Sequence, residues 1–400
     1  MLRFAFISLH SSPLGQLGGR DTGGMSTYLV GLSKALSKAG HSVDIFTAAP
    51  RAEPNPVIRI DQDARLIHLN NDPALHLKAE HYKNIGAAVD AIIAFSEREG
   101  NRYDLVFSHY WLSALCGRKL AAAWKAPHLV MFHTLGRAKN ETCSGENEPP
   151  ARLRAEEDLA READLLVVAA ASEKKRLENY FAVKPEKIAL IPCGIDRSIF
   201  RPYSSEEACL KTGLGSGWKI LSVGRLEPVK GLDLLLKAAA LLPLEDQFQV
   251  IVIGGEGNQA GLGARLREEA YELGLAGRFK LIGPVKQLEL PYYFNCADVT
   301  VVTSHYESFG LVPLESLACG TPVVGPPVGA LPELLGAVRN NGGMIVEGRD
   351  PACWAAAIRS ILLQVKPLPG EVLIDGLAKY CWENAAGMLI DAVVKIRAPL

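Results

Sequence analysis

Short apolar runs alternate with helically spaced segments along the whole chain. Residues 3–9 are almost continuously apolar, as a strand buried on both faces requires. A polar, glycine-rich stretch follows from His10 to Gly24. Tyr28, Leu29, Leu32 and Leu36 then recur at helical spacing, Gly40 closes that helix, and residues 41–47 form the next strand. Strand, glycine loop, helix and strand is the opening of a doubly wound α/β sheet. The alternation continues: residues 59–69 read as one strand, 83–98 as a helix, 103–108 and 128–132 as strands, and 141–150 as a polar loop rich in breakers. Residues 151–162 read as a helix with Arg152, Arg154, Glu156 and Glu157 exposed, and 164–171 as a buried strand. A second series starts with the strand 218–224 and repeats at 249–253 and 279–282. From Asp298 to Gly343 the pattern is densest: strand Val299 to Val302, a polar turn, a helix starting after Gly310, a stop at Cys319-Gly320 and another strand from Pro322. The last stretch, from Tyr380, leads into an amphipathic helix with Met388, Leu389, Val393 and Val394.

The chain of 400 residues is long enough for about two domains, and the composition turns polar and proline-containing near 195–215, where the boundary is expected. Hydrophobic residues at 48% and charged residues at 22% are an ordinary globular balance. A formal net charge of -1 leaves no global field to recruit nucleic acid or anionic membrane. None of the eight cysteines forms a C-x-x-C pair, so no zinc or redox motif is indicated, and their scatter suits reduced, mostly buried thiols in a cytoplasmic protein. The apolar part of the N-terminus is too short for a signal peptide, and no run approaches the ~20 residues of a membrane span.

Several polar groups fall where chemistry would need them. Gly23 and Gly24 precede a helix, so backbone amides there can approach a phosphate closely; a ligand-free flexible turn is the alternative. Arg225 and Lys230 follow the strand 218–224 and suit a diphosphate, although loop cations are commonly just solvated. His109, Tyr110 and His133 stand at strand carboxyl ends, where open α/β sheets bind ligands. Glu307 lies in the loop leaving a strand, and Glu315 on the helix that follows; such acids make sense facing neutral hydroxyls, or as helix-end charges with no ligand. Asp61-Gln-Asp63 is a D-x-D triplet better read as solvated surface than as a metal site. Gly254-Gly-Glu-Gly257 resembles a fragment of a dinucleotide loop, without the helix and acid that would complete it.

The string Glu307-Ser-Phe-Gly-Leu-Val-Pro-Leu-Glu315, followed by Ala318-Cys-Gly-Thr-Pro-Val-Val324, resembles the E-x7-E text of retaining GT-B glycosyltransferases of the family 4 type. Asp21-Thr-Gly-Gly-Met25, Ser108-His-Tyr-Trp-Leu-Ser113, the Phe-His-Thr-Leu-Gly stretch around His133 and residues 224–231 resemble the same family. What that implies is a GT-B fold, two Rossmann-like doubly wound domains facing a cleft. Residues 1–198 would bind the acceptor and 199–378 the nucleotide sugar, with 379–400 as a helix crossing back. The resemblance assigns catalytic roles to His133, Glu307, Arg225 and Lys230. It assigns donor contacts to Gly23, Gly24, Val285, Ser308, Phe309, Gly310, Leu311, Val312 and Glu315.

Within the family the text is most similar to inositol-phosphate N-acetylglucosaminyltransferases, and also to sucrose-phosphate synthases. Acceptor contacts would then fall on Ser26, Lys78, Tyr110, Thr134 and either Arg152 or Arg154, although Lys78 and Arg152 taken singly read as solvated charges. The partners implied are a nucleotide sugar, UDP-linked, and a phosphorylated polyol or sugar. No cofactor or metal is expected, and a homodimer is compatible. Two departures stand out: Ser26 where the family has asparagine, and Gly329-Ala330 where it has two glycines. A non-catalytic nucleotide-sugar binder is the reading from another class.

Overall fold

A computed structural model describes residues 1–14, 23–48, 56–69, 85–142, 147–243, 247–255, 261–338, 342–364 and 376–397. Lys78, Asp21, Thr22 and Gly257 lie outside the described residues. The chain forms two compact units. One holds residues 1–14, Gly24 to Gly194 and the final helix from Trp382; the other holds Ile195 to Cys381.

The first unit is built on an eight-stranded sheet. Its strands are β1 (Arg3–Ile7), β2 (Ser42–Thr47), β3 (Val57–Asp61), β4 (Ala64–His68), β5 (Leu105–His109), β6 (His128–Met131), β7 (Leu165–Val168) and β8 (Ile188–Leu190). Their spatial order is β3-β4-β2-β1-β5-β6-β7-β8, parallel except where β3 meets β4. β1, β2, β5, β6 and β7 are buried nearly throughout because helices cover both faces. The order reverses between β1 and β5, which puts the ends of those strands at a topological switch point.

The second unit carries β9 (Trp218–Val223), β10 (Phe248–Ile253), β11 (Phe279–Leu281), β12 (Val299–Val301), β13 (Val323–Gly325) and β14 (Gly343–Ile345). The order β11-β10-β9-β12-β13-β14 is parallel throughout and is the dinucleotide-fold order, with its reversal between β9 and β12. Leu235, Val250, Val299, Trp354 and Ile358 lie at the centre of its core.

The Ile195 amide donates to the Tyr380 carbonyl at 3.0 Å, and Ile195 bridges Cys381. The final helix, Trp382–Arg397, packs on the helix Gly24–Lys38 of the first unit. Gly31 lets it do so, because a Cβ there would overlap the Trp382 indole. No described helix is long and apolar enough to cross a membrane.

Four expectations are corrected. Residues 59–69 are not one strand: Gln62 and Asp63 turn the chain between antiparallel β3 and β4, and the D-x-D acids sit at that turn. The loop expected over 141–150 is shorter at both ends: Glu141 and Thr142 close the helix Gly136–Thr142, and Pro150 opens the next one. Arg152 and Glu156 on the helix Pro150–Glu162 are buried, not exposed. The cysteines are not all reduced: the helices Ser205–Thr212 and Leu290–Cys296 pack together, bring the Cα atoms of Cys209 and Cys296 to 5.1 Å, and a disulfide joins them. Cys353 is exposed, whereas Cys116, Cys193 and Cys319 are buried free thiols.

Candidate active site

In the second unit the groups converge at the carboxyl ends of β9 and β12, the switch point. Gly224, Arg225, Lys230, Thr303, Glu307 and Val312 line one small hollow there. Lys230 Nζ donates to Glu307 Oε1 at 2.6 Å, and Ser304 Oγ donates to the same oxygen at 2.7 Å. Arg225 pairs with Glu227 at 3.1 Å and stays about one-third exposed. A second layer fixes Lys230. Thr303 Oγ1 donates to the Lys230 carbonyl at 2.8 Å, and Arg349 Nη1 donates to the Thr303 carbonyl at 3.0 Å. Sequence reasoning passed over Thr303, Ser304 and Arg349. Their signal was position: Thr303 and Ser304 directly follow the strand run that ends in Val302.

The helix Leu311–Ala318 starts from Gly310, whose φ of 87° is a left-handed conformation that suits glycine. Its first amides, at Leu311 and Val312, are free of intrahelical acceptors, as at every helix N-terminus. Ser316 Oγ ties the helix to β12 through Thr300 Oγ1 at 2.7 Å. Glu315 is 7% exposed, and burial raises its carboxyl to about 7. Phe309 is buried, and its carbonyl accepts from the Ala330 amide at 2.7 Å. Ala330 has φ -96°, so the alanine at this position needs no glycine-like backbone. Gly329, at φ 57°, does need to be glycine, since a Cβ there would overlap the Phe309 carbonyl. Ser308 is half-buried, and Val285 lies in the coil after β11, outside the hollow.

In the first unit a second group gathers around Arg152. Its Nη2 donates to the Thr134 carbonyl at 2.8 Å and to Thr134 Oγ1 at 3.0 Å. Nε donates to Glu156 at 2.7 Å, Nη1 pairs with Glu148 at 2.8 Å, and the guanidinium lies 4.8 Å over the Tyr110 ring. Lys139 Nζ reaches the other Glu148 oxygen at 2.6 Å. Glu156 also accepts from the Gly136 amide at 2.8 Å; burial lifts its carboxyl above the usual range, and the Arg152 charge offsets only part of that. Arg154, two residues on, is exposed on another face of the helix. Glu156 was legible as the i+4 partner of Arg152; Glu148 has the same spacing on the other side but precedes the helix, and Lys139 carried no sequence signal.

Tyr110 and His133 close β5 and β6 with φ of 77° and 59°, left-handed values that non-glycine residues hold only when their surroundings over-determine them. His133 is half-buried, and burial drives its imidazole down to about 3. Gly23 and Gly24 stand at the start of the helix Gly24–Lys38, and Ser26 in its first turn is buried. Among the described residues no cluster of three or more His, Cys, Asp and Glu could hold a metal.

The chain matches two family models, Glycosyltransferase Family 4 over residues 22–199 and Glycosyl transferases group 1 over residues 211–368. It is 37% identical to the D-inositol 3-phosphate glycosyltransferase of Geodermatophilus obscurus, over 98% of this chain and 88% of that protein. Its fold superimposes on sucrose-phosphate synthase from Thermosynechococcus elongatus with a TM-score of 0.86 and 29% identity, covering 99% of each chain. It also superimposes on Anabaena HepE, solved with UDP and glucose, with a TM-score of 0.69 and 19% identity over 99% of this chain and 97% of that one. With both halves of the chain matched and a relative 37% identical along nearly its full length, this protein belongs to the family 4, or group 1, glycosyltransferases, retaining enzymes of the GT-B fold.

Proposed function

We propose that this glycosyltransferase moves a sugar from UDP to a phosphorylated polyol such as inositol phosphate, with retention at the anomeric carbon. The observation that carries the donor half is the meeting of Lys230, Arg225 and Glu307 on one hollow at the β9/β12 switch point. Arg225 and Lys230 bind the diphosphate and stabilise the charge it gains as the sugar–phosphate bond breaks, with help from the free amides at Leu311 and Val312. Glu307 accepts from hydroxyls of the transferred sugar and Glu315 from the ribose, while Ser308, Phe309 and Gly310 present backbone to the sugar and phosphates. Val285 meets the base. Gly23 and Gly24 bring amides to the donor phosphates, and His133 meets the sugar. Retention follows if the acceptor hydroxyl attacks on the face the diphosphate leaves and a diphosphate oxygen takes its proton.

The acceptor half rests on the inositol phosphate acted on by relatives and on the Arg152 cluster. Tyr110, Thr134, Lys78, Ser26 and Arg152 bind the phosphorylated acceptor; Arg152 is favoured over Arg154 because it is the one held against Tyr110 and Thr134. A nucleotide-sugar donor places the reaction in the cytoplasm. A second reading, transfer to a sugar phosphate, draws on the likeness to sucrose-phosphate synthase.

The test is a matrix of UDP-, GDP- and ADP-sugars against inositol phosphate, inositol and hexose phosphates, read by mass of the product. Transfer from a UDP-sugar to inositol phosphate is the expected result. A product with a hexose phosphate alone moves the assignment to the second reading, and donor binding without turnover on any acceptor removes the enzyme.

A further inference from the structure

His109 ends β5 and is fully buried, and its Nδ1 lies 2.9 Å from Nε2 of His133. Phe6, Phe107 and Tyr28 wall the ring in, at centroid distances of 5.2, 4.3 and 5.8 Å. The other nitrogen, Nε2, is buried and meets no hydrogen-bond partner among the described residues. Burial holds both imidazoles well below their usual range, so both are neutral at ordinary pH.

Two neutral rings share one proton across that contact, which leaves two arrangements. If His133 Nε2–H donates, His109 must carry its own proton on Nε2, a buried donor with no acceptor. If His109 Nδ1–H donates, its Nε2 keeps only a lone pair. An orphaned buried N–H is the rarer and more unfavourable of the two. We infer that His109 is a positioning residue: its Nδ1–H donates to His133 Nε2 and holds His133 in the Nδ1-protonated tautomer.

The consequence is chemical. His133 Nδ1 forms no hydrogen bond to any described residue, so it is the nitrogen left to meet a ligand. Protonated there, and with Nε2 engaged, His133 offers a donor and has no free lone pair. It can hydrogen-bond an oxygen of a hexosyl group but cannot take the acceptor hydroxyl's proton. This deepens the reading that His133 meets the donor sugar, and it rests on that reading only for what the N–H points at. The proton released on transfer must then go elsewhere, as it does when the diphosphate receives it.

The experiment uses the full chain labelled with 15N-histidine, with His133 resonances assigned by loss in His133→Gln. Wild type is expected to show a pyridine-type Nε2 and a protonated Nδ1 at His133. His109→Phe removes the donor and should return the proton to Nε2, with kcat reduced about tenfold or more and donor KM changed less. His109→Asn places an amide N–H where Nδ1 stood and should restore both the tautomer and most of kcat. An Nε2-protonated His133 in wild type, or an unchanged tautomer in a folded His109→Phe, overturns the inference. A tautomer that shifts in His109→Phe while transfer continues at the wild-type rate supports the tautomer assignment and removes the sugar contact instead.

Discussion

Lys230 and Glu307, 77 residues apart in sequence, meet at 2.6 Å across the point where the second sheet reverses its strand order. Neither is fully solvated: their side chains are 23% and 18% exposed. Each neutralises the other, and Ser304 shares the same carboxylate oxygen. In the proposed donor complex, a diphosphate arriving at this hollow would compete with Glu307 for the Lys230 ammonium and release Glu307 toward hydroxyls.

Lys230→Ala should therefore lower kcat/KM for the donor by ~10²-fold or more, the range seen when a group stabilising transition-state charge is removed. Lys78→Ala should chiefly raise the acceptor KM. Steady-state kinetics with each substrate varied in turn checks this, with acceptor-free donor binding alongside. Equal losses of donor binding in both variants would contradict it.

Glu315 makes stability depend on pH. Its folded-state value of about 7 lies above the ordinary 4.5, so the folded protein holds this proton more tightly than the unfolded chain does. The contribution is fully present below pH 4.5 and is lost as pH rises through about 7. Glu315→Gln, neutral throughout, should gain on wild type across that window by a difference on the order of 3 kcal/mol at its upper end. Urea melts of both proteins at matched pH values measure it, and a constant difference between them would be the contrary result.

The Arg152 cluster binds its own carboxylates. Glu148 occupies both Lys139 and Arg152, cations that an acceptor phosphate would use. Glu148→Gln should therefore lower the KM for a phosphorylated acceptor several-fold and leave the donor KM unchanged. Arg152→Ala leaves Glu156 as a buried, unpaired carboxylate and should cost about 3–5 kcal/mol of stability, whereas Arg154→Ala, on the exposed face, should change stability by less than ~0.5 kcal/mol. Thermal melts and acceptor titrations separate these outcomes.

Gly329 is a tight backbone position against the Phe309 carbonyl. Gly329→Ala must hold a non-glycine residue at φ 57° and displace the Phe309 carbonyl. The expected loss is ~1–3 kcal/mol from the backbone conformation alone, with a raised donor KM because the Phe309–Gly310 backbone shifts. Ala330→Gly, by contrast, should leave KM as it is, since Ala330 already sits at an ordinary φ.

Reduction of the Cys209–Cys296 disulfide reopens a span of 87 residues. Chain-entropy reasoning puts the stabilisation from closing such a loop at roughly 4–5 kcal/mol. Cys296→Ser should lower the melting temperature in buffer without reductant and make no difference once wild type is reduced. Equal melting of oxidised wild type and the variant would show that the bond contributes nothing to stability.

Much of the fold was legible because its determinants are local. Short, mostly apolar runs with no wholly polar face mark parallel strands, as at Leu105–His109 and Trp218–Val223, and glycine turns mark the helix starts. Candidate ligand groups followed from the same logic, since loops after strands hold Arg225, Lys230, His133 and Glu307. Arg152 was misread for a physical reason. A charged residue on a helix is exposed unless something pairs with it, and two of its partners, Thr134 and Tyr110, are 18 and 42 residues away in sequence. Arg349 and Thr303 escaped notice because their grip on Lys230 runs through backbone carbonyls, which leave no trace in residue type.

By itself, the order of residues determined the alternating α/β architecture, the two-domain length and the set of groups proposed to hold a nucleotide sugar, because periodicity and turn chemistry act over a few residues. Strand order, the pairing of Lys230 with Glu307, the burial of Arg152 against Thr134, the Cys209–Cys296 bond and the raised Glu315 carboxyl were decided only by tertiary structure. Each depends on which distant segments are packed together and how far water is excluded between them, and neither quantity is written in any local stretch of sequence.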